Sequence, residues 1–332
     1  VILKFLKKVP AGMMIVPMFL SAIVNTFFPD ILQIGSFTTA VFTNAGATAI
    51  MGVQLVCMGS QLRVKELMEV VKRGGVLLVS KYVIGAIIGI LVGKVFGMAG
   101  FLGLTTLAIL SAITNSNGSL YLALNVTYGD EVDQTAMSFL ALNDGPFLTL
   151  LTLGASGLAN VPFIALIAVL VPIIFGMILG NLDKSLSEFL APGVSLLLPF
   201  VGMTLGAGIN ITDIVSGGGA GILLGVITVF ISGPIVVLCD RLINRRPGYA
   251  GWAVSTTAGN AIAVPAVVAT VDKAWAPYVA TATTQVAASV VVTAILIPII
   301  TSWWAKKYGC PAYPLEGQDF SKKNWKVPKT TK

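Results

Sequence analysis

The chain has 332 residues, 56% of them hydrophobic and only 11% charged, against roughly 25% charged in a soluble domain, and its mean hydropathy is +0.91. Charges missing from long stretches and crowded into short ones exclude a soluble globular fold and predict an all-α integral membrane protein. The net charge of +7 comes from basic residues in loops and beyond Lys306, which excludes a nucleic-acid reading, and the lack of histidine removes the usual metal ligands and the commonest general base.

Apolar runs bounded by turn signals predict ten transmembrane helices, at roughly 10–28, 39–60, 75–96, 100–128, 135–158, 161–181, 192–210, 218–242, 249–271 and 276–304. The first, "KFLKKVPAGMMIVPMFLSAIV", has the basic start and apolar run of a secretory signal. Its counterpart in the second half of the chain makes it span 1 instead. Cys57, Cys239 and Cys310 have no metal-like spacing and read as small apolar residues.

Loop charges alternate along the chain. With a cytoplasmic N-terminus, one side collects Lys4, Lys7, Lys8, Arg63, Lys65, Lys72, Arg73, Lys184, Arg241, Arg245, Arg246, Lys306 and Lys307, and the other little beyond Lys94 and Lys273. The positive-inside rule then places both termini in the cytoplasm.

The halves repeat one another. "CMGSQLRVKEL" (57–67) aligns without gaps on "TLGAGINITDI" (204–214), so that Gly59 meets Gly206, Leu62 meets Ile209, Val64 meets Ile211 and Glu66 meets Asp213. Five spans per half is odd, so the second copy is inverted, a 5+5 repeat of residues 1–158 and 159–305 followed by a polar cytoplasmic tail at 306–332. Beyond Tyr308 its composition predicts disorder.

Two spans carry polar breaks at equivalent positions, "SAITNSNG" (111–118) in span 4 and "STTAGNAI" (255–262) in span 9. Non-helical backbone at membrane depth is tolerated only inside protein or along a water-filled cavity. Paired breaks in an inverted repeat are the architecture of secondary transporters. The expected substrate-binding residues are therefore Asn115, Ser116, Asn117 and Gly118 with Thr256, Thr257, Gly259 and Asn260, assisted by helix N-termini. Small and polar residues also hold membrane helices together, which is the reading given to "GAIIGILVG" (85–93).

Among the acidic residues only Asp144, in "ALNDGPFLTL" (141–150), falls near the middle of a predicted span. Pro146 leaves the carbonyl of Leu142 without a helical partner. A carboxylate at that depth costs at least ~2.5 kcal/mol and is a functional candidate by default, as a proton carrier or, with Asn143 and Asn115, as a sodium ligand. No basic residue is predicted at the centre of a span, and Lys81 and Lys94 read as snorkelling side chains near the ends of span 3. An intramembrane enzyme would need a second catalytic group beside Asp144, which the sequence does not offer.

The stretches "VPAGMMIVPMFLSAIVNTF" (9–27), "CMGSQL" (57–62), "TNSNGSLYLAL" (114–124), "GPFLTLLTLG" (145–154), "GNLD" (180–183) and "TAGNAIAVPAVVA" (257–269) resemble the bacterial 2-keto-3-deoxygluconate permease family. The resemblance runs from about residue 9 to 304. It implies import of that sugar acid by proton symport across the inner membrane, with no cofactor beyond the coupling ion, and similarity to the fold of bile-acid:sodium symporters. There spans 4 and 9 are broken and cross in a core domain, which here would hold spans 3–5 and 8–10 against a panel of spans 1, 2, 6 and 7. Those symporters place an acid in broken span 9. Residues 249–271 contain none, which favours protons over sodium.

Overall fold

The computed structural model describes residues 1–8, 12–62, 68–143, 145–207 and 211–320. Asp144, the repeat positions from Arg63 to Glu66, Ile209 and residues 321–332 lie outside the described residues.

In lipid a chain must satisfy its backbone hydrogen bonds internally, and the described residues form helices throughout, with no named strand. In chain order these are α1 (Ile2–Lys8), α2 (Gly12–Phe27), α3 (Ser36–Phe42), α4 (Ala47–Gly59), α5 (Met68–Phe96), α6 (Thr106–Ile113), α7 (Gly118–Tyr128), α8 (Glu131–Leu140), α9 (Pro146–Ser156), α10 (Phe163–Leu182), α11 (Lys184–Gly206), α12 (Ile211–Ile227), α13 (Gly233–Leu242), α14 (Tyr249–Val254), α15 (Val264–Val271) and α16 (Val279–Tyr308). Five of these segments are long and apolar enough to cross a membrane: α5, α10, α11, the run through α12 and α13, and α16 with the turn before it. Large apolar side chains such as Phe163, Val171, Phe175 and Leu182 on α10 face outward, as a lipid-contacting surface requires.

Several predicted spans are subdivided. Span 2 is α3 and α4 around a short turn at Asn44–Gly46. Span 5 is α8 and α9 around a turn at Ala141–Asn143, with Pro146 opening the second piece. Between α12 and α13 lies a π-helical stretch, Thr228–Ser232, where Pro234 withholds an N–H from the ladder.

Helix contacts fall into two sets. In one, α2 lies on α11 and α4 on α10 and α11; in the other, α5 holds α6, α8 and α13, while α16 holds α12 and α14. The glycine motif of α5 serves packing as expected. Added methyl groups on Gly85, Gly89 and Gly93 would meet Ile113–Thr114, Leu110 and Thr106 in turn, so α5 runs antiparallel to α6 in close contact.

Two expectations are corrected. Residues 309–320 are not a loose tail. Cys310 is buried and pairs with Tyr313 through the backbone, and the Gln318 Nε2 donates to the Tyr308 carbonyl at 2.9 Å. Buried apolar contacts at Cys310 override the polar composition around it. Lys81 is also not near a helix end. The basic residues Lys72 and Arg73 read as loop, but α5 continues through them to Met68, because Arg73 finds carboxylate partners there. Lys81 thus stands at the midpoint of α5 and is fully buried.

Candidate functional site

The first break forms because its side chains compete for backbone partners. α6 stops at Ile113. Thr114 Oγ1 donates back to the Leu110 carbonyl at 2.6 Å and meets Thr149 Oγ1 at 3.0 Å. Asn115 Nδ2 donates to the Ser111 carbonyl at 2.9 Å, and its Oδ1 accepts the Gly145 N–H at 2.9 Å. One amide thus ends α6 and ties it to the start of α9. Asn117 begins α7, its Oδ1 accepting the Leu120 N–H at 2.9 Å as an N-cap.

The second break is built alike. Ser255 Oγ donates to the Gly251 carbonyl at 2.6 Å and α14 ends at Val254. The Thr257 N–H donates to Thr293 Oγ1 at 3.0 Å, and its hydroxyl meets Ser289 Oγ at 2.8 Å. Gly259 precedes a single turn, Asn260–Ala263, and Pro265 lies in the first turn of α15. The breaks touch directly: the Asn117 N–H donates to Thr256 Oγ1 at 2.8 Å.

Most predicted site residues point into protein. Asn115, Ser116, Thr256 and Thr257 are buried, whereas Asn117, Gly259 and Asn260 are half-buried. Beside them lies a cavity of about 290 Å³ between α4 and α10 on one side and α9 and α15 on the other, lined by Gln54, Met58, Gly145, Asn260, Val264 and Thr270 among others. Of the predicted binding residues only Asn260 lines it. Its Nδ2 reaches Met58 Sδ at 3.6 Å and its Oδ1 has no hydrogen-bond partner among the described residues. Beyond Met58 the space between Leu55, Leu62, Leu142, Phe147 and Ile173 narrows to about 10 Å³. Gln54 was not singled out from the sequence, although a lone amide in an apolar span was the available signal. Its Nε2 is held by the Val194 carbonyl at 2.9 Å.

Asn143 is fully buried. Its Oδ1 accepts from Ser116 Oγ at 3.3 Å, and its Nδ2 has no partner among the described residues. Asp144, beside it, lies outside the described residues. Asp144 was expected to be the one acid within the apolar part, but among the described residues Asp133 and Asp240 are buried, at 2% and 1% exposure. Both sit near predicted span ends, and only tertiary contacts cover them. No group of three or more acidic or sulfur side chains able to hold a metal occurs among the described residues.

Asp133 belongs to an ion cluster that sequence reasoning missed. Arg73 Nη1 contacts Asp130 at 2.8 Å and Asp133 at 3.0 Å. Arg246 Nη2 contacts the same two carboxylates at 2.9 and 3.0 Å, and the Tyr249 hydroxyl donates to Asp133 at 2.6 Å. Burial would raise the Asp130 carboxyl, but Arg246 and then Arg73 outweigh it and hold the group below its ordinary range. Burial would likewise weaken the Arg246 guanidinium's hold on its proton, and Asp133, Tyr249 and Asp130 more than reverse this. The cluster ties α5, the α7–α8 turn and the start of α14 together.

A family model described as 2-keto-3-deoxygluconate permease matches residues 3–310. The chain is 49% identical over 304 residues to 2-keto-3-deoxygluconate permease 1 of Salmonella typhimurium, across 92% of this chain and 95% of the relative. It is 38% identical over 308 residues to the 2-keto-3-deoxygluconate permease of Bacillus subtilis, across 91% and 93%, and 35% identical over 317 residues to that of an Escherichia coli strain, across 94% and 96%.

Proposed function

The chain belongs to the 2-keto-3-deoxygluconate permease family, a multi-pass membrane protein with a small-molecule substrate, and on that premise we propose that it imports 2-keto-3-deoxygluconate by proton symport. The observation that carries the transport reading is the junction of two interrupted helices at Asn117 and Thr256, beside a cavity large enough for a small solute. Discontinuous helices of this kind form the solute sites of secondary transporters.

An inverted 5+5 repeat is supported by contacts that come in matching pairs. α2 on α11 mirrors α10 on α4, and α5 on α8 mirrors α12 on α16. The aligned residues Gly59 and Gly206 agree, since a Cβ on either would fall onto a carbonyl oxygen of the facing helix, that of Ile173 or of Met18. We read α5–α9 with α12–α16 as a core, and α2–α4 with α10 and α11 as a panel. The cavity between them opens toward Thr48 and Val271 and narrows toward Leu62. With both termini in the cytoplasm of a bacterial inner membrane, this is the outward-facing state. Sliding of core past panel would then open the inner side.

Asp144, with Asn143, is our candidate for the proton carrier. Importing one negative charge costs ~2.3 kcal/mol per 100 mV of membrane potential, and one accompanying proton cancels it. The deciding experiment is uptake of labelled 2-keto-3-deoxygluconate into proteoliposomes under a proton gradient or a sodium gradient imposed separately. Concentrative uptake driven by protons alone is expected. A requirement for sodium would replace the coupling ion, and no uptake under either gradient would overturn the substrate.

A further inference from the structure

The ammonium of Lys81 lies at the midpoint of α5, is fully buried, and has no hydrogen-bond partner among the described residues. A lysine in that position is expensive unless something compensates it. Among the described residues Lys81 forms no hydrogen bond to a carboxylate. Arg73 is taken by Asp130 and Asp133, and lies two turns, ~12 Å, from Lys81 along the helix. Asp240 on α13 accepts from Asn244 through Oδ1 at 2.9 Å, and its Oδ2 has no partner among the described residues.

The register of α5 against α6 shows where Lys81 sits. Gly93 faces Thr106, Gly89 faces Leu110 and Gly85 faces Ile113–Thr114. Lys81 is the next residue on that stripe, level with the residues that follow the end of α6, where Asn117 opens α7. One turn further along, Leu77 belongs to the same apolar cluster as Tyr121. Around that level the Lys81 ammonium, the Asn143 Nδ2 and the Tyr121 hydroxyl have no partner among the described residues. The free N–H groups and positive dipole end of α7, a helix of 11 residues, add to them. Lys81, the Asn143 Nδ2 and the α7 N-terminus all donate, and the unpartnered acceptors Asn125 Oδ1 and Asp240 Oδ2 lie further along α7 and on α13.

We propose that Lys81 is the basic group that makes the span 4 break selective for a carboxylate anion. It is a positioning residue, acting through the low-dielectric protein on an anion seated where the breaks meet. The proposal rests on the reading of the substrate as an anionic sugar acid, and supplies the basic group that this reading lacked at the sequence level.

The test is equilibrium binding of 2-keto-3-deoxygluconate and of its uncharged methyl ester to the purified full chain in detergent, for the parent, Lys81→Met and Lys81→Arg. Lys81→Met is expected to weaken anion binding at least tenfold while leaving the ester unchanged. Lys81→Arg should keep the preference for the anion. Lys81→Met should also melt no lower than the parent, since an uncompensated buried charge is replaced by an apolar chain of similar length. Parent-like anion affinity in Lys81→Met, or equal loss of anion and ester, would overturn the assignment. If the parent binds no 2-keto-3-deoxygluconate, the substrate reading fails separately. Lys81 is then judged by thermal shift with pyruvate, gluconate and lactate: a carboxylate that stabilises the parent but not Lys81→Met supports it, and none doing so refutes it.

Discussion

The backbone N–H of Asn117 donates to the hydroxyl of Thr256 at 2.8 Å across 139 residues of sequence. This bond joins the two interrupted helices, and it uses a backbone donor that α7 cannot satisfy internally because Asn117 stands at its N-cap. Thr256→Val keeps the shape and removes the acceptor. Leaving the donor unpaired costs about 1–3 kcal/mol, so the melting temperature should fall, while Thr256→Ser should restore it. An unchanged melting temperature in Thr256→Val would mean the bond carries no weight.

Close approach of α5 to the first break depends on Gly85. A Cβ there would lie 2.7 Å from the Thr114 nitrogen and 2.8 Å from the Ile113 carbonyl carbon, both backbone atoms with little freedom to yield. Gly85→Ala should destabilise by about 1–3 kcal/mol through overpacking and impair transport. Gly219→Ala is the control, since nothing lies within 4 Å of its added methyl. It should be neutral or stabilising by about 0.5–1 kcal/mol. Thermal melts of both variants decide.

Removing one member of the ion cluster strands its partners. Arg246→Met leaves the buried Asp133 with one arginine instead of two and should cost about 3–5 kcal/mol. The double variant with Asp133→Asn should recover part of that loss. The same cluster sets a pH dependence. The folded-state value of Asp130 lies below its ordinary 3.8, so its contribution is fully present above that value and is lost as pH falls through the folded value. The melting temperature should hold between pH 7 and about 5 and drop below about 4, and the drop should shrink in Asp130→Asn.

Asn260 and Asn117 have separable roles. Asn260→Ala removes the one predicted binding residue that lines the cavity, and should weaken substrate affinity with little effect on stability. Asn117→Ala also removes the N-cap of α7, at a cost of about 1 kcal/mol, and should lower both. Unchanged affinity in both variants, measured by isothermal titration, would move the site away from the crossing.

Asp144→Asn should abolish accumulation against a gradient while leaving solute exchange between the two faces intact. Full concentrative uptake by this variant in proteoliposomes would remove Asp144 from the coupling role.

Composition and apolar run length were enough to establish a helical membrane protein, and the polar breaks at 114–118 and 255–259 were legible because amides and hydroxyls in an apolar span have few uses. Both breaks appear where those residues stand, since Asn115, Asn117 and Ser255 bond locally to backbone that a continuous helix would have used, and the Thr257 N–H is taken by the Thr293 hydroxyl. Periodicity and composition report what each segment does to its own backbone, and in lipid that alone decides helix or no helix. They are silent on what covers a side chain. Only the tertiary structure decided that Lys81 is buried at mid-helix without a partner among the described residues, that Asp133 and Asp240 are covered, that Cys310 anchors the residues after α16, and that the cavity admits Asn260 while Asn115 and Thr257 are spent on protein. Each outcome depends on which surfaces meet across long sequence separations, and the free energy of a buried charge or amide is set by neighbours that no local pattern encodes.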